Sequence, residues 1–524
     1  MRRRSFLALP ILLAGCASEP VVPRSKSTGT FTCGVASGDP TQHGVVLWTR
    51  IDPASYRDSE PVGFQVAGDL DFQSPVSSGQ IAPGFGPVTD YTLKVDLEGA
   101  LDPGKTYYYR FLYRGEFSPT GRCRTLPVSP EVLNLAIVNC QRFSAGYYNA
   151  FYHLAQNPDI DFVLHLGDFI YDSGHQSTDF PERSYTLPSG RERAYELADY
   201  RFLYRKYRSD PNLQVALAAH TWIFTWDDHE TLSNCYWNYQ EDSFDSKANP
   251  YKGNREASNR IKLEAMQAWS EYVPARVEKN PGANHPFDYF RIYRSFIFGD
   301  LVDLIVTDLR SYRSGPACGE ANEDATLGCP ELNSPEVTML GTEQKQWFLD
   351  QITHSRASWS CWASSVLHVP LGAGPLIGTL DIWDGYPKER AEIAQAVQES
   401  NLKNFLVLSG DLHAGLLGRV LSEYPDGEPI GLELLSPPLS SDNFSSDIPS
   451  WLPTVPLWQV VESANPHLDY FESQYSGYAS LRLTRSEAYY TVYALDKSRD
   501  YPDQLAEIPL RARIVSGVKE FELR

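Results

Sequence analysis

Five short apolar runs in this chain each end in residues of the kind that bind metals, and that repetition narrows what it can fold into. The run DFVLHL (161–166) reads as a buried strand, short and bounded by a Pro-Asp turn. Gly167 ends it and permits a tight turn, so Asp168 emerges at the strand's carboxyl end with Tyr171 close behind. Taken alone, such an Asp could equally cap a helix, with the tyrosine packed beside it. The other runs tip the balance. LNLAIVNC delivers Cys140, HTWIFTWDDHE delivers Asp227, Asp228, His229 and Glu230, WSCWASSVLHVP delivers His368, and NFLVLSGDLHAG delivers Asp411 and His413. Open α/β sheets build their sites outside the carboxyl ends of strands. Asp, His, Cys and Tyr without a Ser-His-Asp pattern point to a metal centre rather than to acyl-enzyme chemistry.

From residue 133 onward these strands alternate with helical stretches: GYYNAFYHLAQ, LADYRFLYRKYR, RIKLEAMQAWSEYV, TEQKQWFLDQITH and ERAEIAQAVQES. That alternation predicts an α/β layered domain over 129–524. Before it, VVLWTR, VGFQVAG, YTLKVDL and TYYYRFLYR are short alternating runs between turns, which predicts a small all-β sandwich of the fibronectin III or immunoglobulin type over 29–128. Two long polar segments, 172–193 and 234–259, are expected to roof the site. GYASLRLTRSEAYYTVYALD returns to strand alternation near the C-terminus.

Residues 1–16 read as an export signal and 17–28 as a flexible tether. Arg3-Arg4-Ser5-Phe6-Leu7 resembles a twin-arginine signal, and Leu13-Ala14-Gly15-Cys16 resembles a bacterial lipobox, which would make Cys16 a lipid anchor. The expected location is periplasmic or at the outer surface; an ordinary secretory signal is the alternative. A formal charge of −20 argues against nucleic-acid binding, and an anionic substrate would then need bound cations. With Cys16 and Cys140 assigned, Cys33, Cys123, Cys235, Cys318, Cys329 and Cys361 remain. Cys318 and Cys329 bracket a polar loop that they could close as a disulfide; the other pairings stay open.

As a set, Cys140, Gly167-Asp168-x-x-Tyr171, Asp227-Asp228-His229-Glu230, His368-x-Pro370 and Gly410-Asp411-x-His413 resemble the calcineurin-like metallophosphoesterases, and most closely the alkaline phosphatase D family. GVASGDP, VVLWTR, LGTEQKQWF and NPHL extend the resemblance over nearly the whole mature chain. The resemblance implies a layered β-sandwich flanked by helices that holds two metals bridged by Asp168. It implies Cys140, Asp168, Tyr171 and His413 around Fe(III), and Asp168, Asp228, His368 and Asp411 around a second divalent ion. Charged oxygen donors favour Ca²⁺ there, while the nitrogen of His368 leaves Zn²⁺, Mn²⁺ or Fe²⁺ open. His229 is implied as an acid near the leaving oxygen, although a helix-start histidine is its plain reading. Arg142 could grip a phosphate oxygen or form a surface salt bridge. Asp227 and Glu230 are expected to play supporting roles, Asn234 and His467 are weaker candidates, and Asp308-Leu-Arg310 reads as an internal ion pair.

The implied reaction is hydrolysis of phosphate monoesters, and of diesters too, by metal-activated hydroxide at a dinuclear centre. A phospholipase D-like or cell-wall phosphodiesterase is one alternative. A non-catalytic surface protein with a structural metal is another. Substrate identity and oligomeric state are not encoded legibly.

Overall fold

The structure is a computed structural model that describes residues 29–277, 279–317, 329–372, 380–400, 402–447 and 456–524. The export signal, Cys16, the tether and Cys318 lie outside them. Two large sheets form its centre. The ten-stranded sheet runs, from one edge, Glu522–Leu523, Glu507–Val515, Glu487–Ala494, Gly477–Thr484, Val132–Val138, Phe162–His165, Thr221–Phe224, Val35–Gly38, Val46–Arg50 and Thr92–Asp96. The seven-stranded sheet runs Arg294–Phe298, Val302–Val306, Trp359–Ala363, Phe405–Ser409, Pro429–Leu435, Gly415–Leu421 and Leu468–Glu472.

Residues on alternate faces of the strands explain the layers. Leu135, Ile137, Phe162 and Leu164 meet Leu304, Val306, Cys361 and Leu406 in a core between the sheets. On the outer face of the first sheet, Ala136, Val138, Trp222 and Phe224 pack under helices Asn149–Ala155, Leu197–Arg208, Pro211–Ala219 and Arg255–Tyr272. On the outer face of the second, Ile305, Trp362 and Val407 pack under Thr342–His354, Pro387–Ser400 and Leu457–Ala464. This is the expected layered α/β sandwich. Central strands covered on both faces are buried end to end, as in Phe162–His165, whereas Thr106–Tyr113 alternates as its sequence predicts. Val132–Val138, Phe162–His165 and Thr221–Phe224 are parallel, as are Val302–Val306, Trp359–Ala363 and Phe405–Ser409.

The N-terminal region is all-β, as expected, but it is not free-standing. Thr106–Tyr113 and its neighbours make a separate five-stranded sheet, while Val35–Gly38, Val46–Arg50 and Thr92–Asp96 continue the ten-stranded one. Gly38 makes the join: it pairs in parallel with Trp222, and a Cβ there would meet the Pro274 carbonyl at 2.3 Å. The helix Pro211–Ala219 does not stand out in the sequence because it is apolar nearly all round. Its start is nonetheless written as Asp210-Pro211, with the Asp210 side chain accepting from the N–H groups of Asn212 and Leu213. The 172–193 and 234–259 segments carry short pairings, including Ser173 with Arg193 and the hairpin Tyr236–Asn238 with Ser243–Asp245. Cys329 is disulfide-bonded. Cys33, Cys123, Cys140, Cys235 and Cys361 are buried free thiols, so further disulfides are not formed by Cys33, Cys123, Cys235 or Cys361, and Cys140 keeps the free thiol expected of a ligand.

Candidate metal centre

Parallel strands deliver Cys140, Asp168, Asp227, Asp228 and Asp411 to one end of the sandwich. Cys140, Asp168, Asp411 and His413 all have left-handed backbones, with φ of 51°, 58°, 67° and 57°. Such conformations cost about 1–3 kcal/mol each and persist only where surroundings fix them. Here the turns are laced together. Cys140 N–H donates to the Gly167 carbonyl (3.2 Å), Gln141 N–H to that of Asp168 (3.1 Å), and Ser441 N–H to that of Cys140 (3.1 Å). Gly167, at φ 112°, lies so close to the next turn that a Cβ would fall 2.5 Å from Asp227 N and Cβ. Glu230 then clamps both turns, its carboxylate accepting from the N–H groups of Asp168 (3.0 Å), Phe169 (2.7 Å) and Asp227 (2.9 Å).

The outcome is three adjoining donor groups: Cys140–Asp168–His413, Asp168–Asp228–His229 and Asp227–Asp228–Asp411, each with its donor atoms within 4.8 Å of one another. Tyr171 joins the first, its hydroxyl 3.3 Å from His413 Nε2 and 2.6 Å from Ser441 Oγ. Asp168 Oδ1 and Asp228 Oδ1 are buried with no hydrogen-bond partner. Buried carboxylate oxygens without hydrogen bonds, beside a thiol, an imidazole and a phenol, are the donor chemistry that cations satisfy, so the residues fit a metal centre.

Burial, followed by the charges of Asp168 and Asp411, pushes the Cys140 thiol well up; burial likewise raises Asp168 and Tyr171. Burial lowers His413 to about 4, which keeps it a neutral donor. Asp228 is down at about 2 despite burial, because His229, Arg310 and the Asn234 N–H favour its charge. Asn234 thus supports Asp228 through a 2.6 Å backbone bond.

His229 Nδ1 lies 2.6 Å from the buried Asp172, which also takes Arg193 at 2.6 Å, and its ring lies 4.2 Å from that of Tyr171. Burial opposes the imidazolium, but Asp228, Asp168 and Asp172 outweigh it and lift His229 to about 10. Arg142 is half-buried at the rim, 3.4 Å from His175 Nδ1 and 3.6 Å from Asp442, over the Tyr171 ring. Arg310 is fully buried and pairs with Asp227, Asp381 and Asp411 rather than with Asp308, whose Oδ1 accepts from the backbone N–H of Arg310, so the expected Asp308–Arg310 pair is replaced by one inside the centre.

His368 requires a correction. It belongs to none of the donor groups among the described residues. Its ring lies 5.2 Å from Trp362 and 5.5 Å from Trp383, neither ring nitrogen has a partner, and burial lowers it to about 3. The reason is the turn it sits in. Glu433 accepts from the N–H groups of His368 (2.8 Å) and Val369 (2.6 Å) and from Ser409 Oγ (2.6 Å), and the side chain packs into the outer core. His467 Nε2 donates to the Pro370 carbonyl (2.8 Å), away from the donor groups. Asp172, Arg193, Ser441 and Asp381 are participants that the sequence reading passed over; Asp172 stood next to Tyr171 in the most informative stretch.

The model of the PhoD-like phosphatase family matches residues 135–492, and that of the PhoD-like phosphatase N-terminal domain matches residues 15–127. The chain is 33% identical to alkaline phosphatase D of Bacillus subtilis (strain 168) over 500 residues, covering 91% of this chain and 80% of that protein. A solved structure of PhoD superposes with a TM-score of 0.80 at 29% identity, covering 95% of this chain and 92% of that one. With its fold, strand-end donors and sequence in agreement, the chain belongs to the PhoD-like phosphatase family and is a phosphoric ester hydrolase.

Proposed function

We propose that this phosphatase hydrolyses phosphate monoesters, and diesters as well, at a centre of two cations that share Asp168. The observation that carries the reading is the pair of adjoining donor groups on either side of Asp168, in which Asp168 and Asp228 each keep a buried carboxylate oxygen without a hydrogen-bond partner. Cys140, Asp168, Tyr171 and His413 would hold Fe(III), which suits thiolate and phenolate donors. Asp168, Asp228 and Asp411 would hold the second ion. With His368 in the aromatic core, that donor set is all oxygen, which favours Ca²⁺ over Zn²⁺, Mn²⁺ or Fe²⁺. When bound, such cations neutralise ester oxygens and lower the pKa of a water.

The chain's own residues do the remainder. Asp172 occupies Nδ1 of His229, leaving Nε2 to carry the proton to the leaving oxygen. Arg142 offers its guanidinium at the rim for a phosphate oxygen. Stripped protein reloaded with iron and calcium is expected to release phosphate from p-nitrophenyl phosphate and p-nitrophenol from the bis ester. Inactivity on both would overturn the reading, and activity on the monoester alone would remove the diester part.

The N-terminal motifs support twin-arginine export and lipidation at Cys16, giving a periplasmic or outer-surface enzyme anchored to a membrane. A Cys16→Ala variant is expected to leave the detergent phase on partitioning. Equal partitioning of parent and variant would remove the anchor.

A further inference from the structure

Arg310 reaches the centre from the strand Val302–Val306. Its turn is set by Asp308, whose Oδ1 accepts from the N–H groups of Arg310 (3.0 Å) and Ser311 (2.9 Å) and from Trp226 Nε1 (2.8 Å). The guanidinium is 0% exposed. It grips both oxygens of Asp227, with Nη2 at 3.0 Å from Oδ2, while Nη1 lies 2.7 Å from Asp381 and Nη2 also lies 3.2 Å from Asp411 Oδ1. Asp228 Oδ1 is 4.0 Å away. Asp381 is in turn held by Arg313 at 2.6 Å. A fixed monovalent cation therefore stands among the three carboxylates Asp227, Asp228 and Asp411.

We propose that Arg310 is a built-in cation that weakens and restricts the second metal position. Resting on the two-cation reading above, the argument has two parts. Asp227 is committed to Arg310 through both its oxygens and is no longer a metal donor, and one oxygen of Asp411 is engaged as well. The guanidinium also repels any ion held by Asp228 and Asp411, and in a buried setting that repulsion is poorly screened. The second ion is therefore exchangeable, taken up from the medium rather than locked in place. Arg310 acts through Asp411 and Asp228 and is a positioning residue.

The test is calorimetric titration of Ca²⁺, then Mn²⁺, into iron-loaded protein freed of other ions. Arg310→Gln is expected to bind the divalent ion tighter by on the order of tenfold. Arg310→Lys keeps the charge but loses the forked grip, and its affinity is expected to stay within about threefold of the parent. Asp227→Asn releases the guanidinium toward Asp411 and is expected to weaken binding by roughly three- to tenfold. Unchanged or weaker binding in a folded Arg310→Gln overturns the proposal, as does a lysine variant that behaves like the glutamine one. If Arg310→Gln does not fold, Asp227→Asn decides: unchanged or tighter binding overturns it. A parent that binds no divalent ion contradicts the two-cation reading itself, which separates the two failures.

Discussion

The imidazole of His229 is held at Nδ1 by Asp172 and packed along its face by Tyr171, so one nitrogen remains for chemistry. If it protonates the leaving oxygen, its worth depends on how poor that leaving group is. His229→Gln is therefore expected to lower kcat on alkyl phosphates by about 10²–10⁴-fold but to have much less effect on p-nitrophenyl phosphate. Steady-state rates over a series of leaving groups check this, and equal losses along the series would exclude the acid role. The same residue predicts a pH dependence in metal-free protein. Its pKa is about 10 when folded against an ordinary 6.5, so the folded state holds the proton more tightly. That stabilisation is complete below about 6.5 and lost as pH rises toward 10, with a size of the order of a few kcal/mol. Urea unfolding of parent and His229→Gln should show a stability gap that closes over this window. Reloading with cations removes two of the causes, Asp228 and Asp168, and should narrow the gap at low pH.

Among the elements, the turns after the strands carry the candidate metal donors, and they were legible because burial and donor type follow each other directly in sequence. An apolar run ending in Gly-Asp or Asp-His states both the strand and the donor. What was not legible depends on distance in the chain. Nothing near His368 announces that Glu433, 65 residues later, turns it into the core. Likewise Ser441, 270 residues beyond Tyr171, gives no local sign of meeting its hydroxyl. Arg310 reads from the sequence as paired with Asp308, two residues away, but its partner is Asp227, 83 residues away, and Asp308 instead accepts the Arg310 backbone N–H. Gly167 tests the packing of these turns. Gly167→Ala must place a methyl 2.5 Å from Asp227 at a φ of 112°. It is expected to cost about 2–4 kcal/mol and to reduce iron content, readable by thermal melting and elemental analysis. A variant of parental stability and iron content would show that the two turns are not pressed together.

For the whole molecule, the ten-stranded sheet joins regions that the sequence reading separated near residue 128. Val35–Gly38 pairs with Thr221–Phe224, the strand that leads to Asp227 and Asp228. Trp48 is fully buried against the guanidinium of Arg208, 3.9 Å away, and donates through Nε1 to the Glu271 carbonyl. Removing residues 29–128 would expose that strand edge and this aromatic contact. The truncated chain is expected to be insoluble or metal-poor, whereas a small independent domain would leave a soluble, loaded remainder; expression and elemental analysis distinguish the two. Cations bound by the candidate donors would also offset the net charge of −20 of a chain whose substrates are anionic esters. The central claim, an iron ion held by Cys140, Asp168, Tyr171 and His413, is tested most directly by elemental analysis and the visible spectrum of protein exported by its native route. The account predicts bound iron and a tyrosinate- or thiolate-to-Fe(III) charge-transfer band that Tyr171→Phe and Cys140→Ser each abolish or shift. A band that survives unchanged in both variants, or protein that carries no iron, would contradict it.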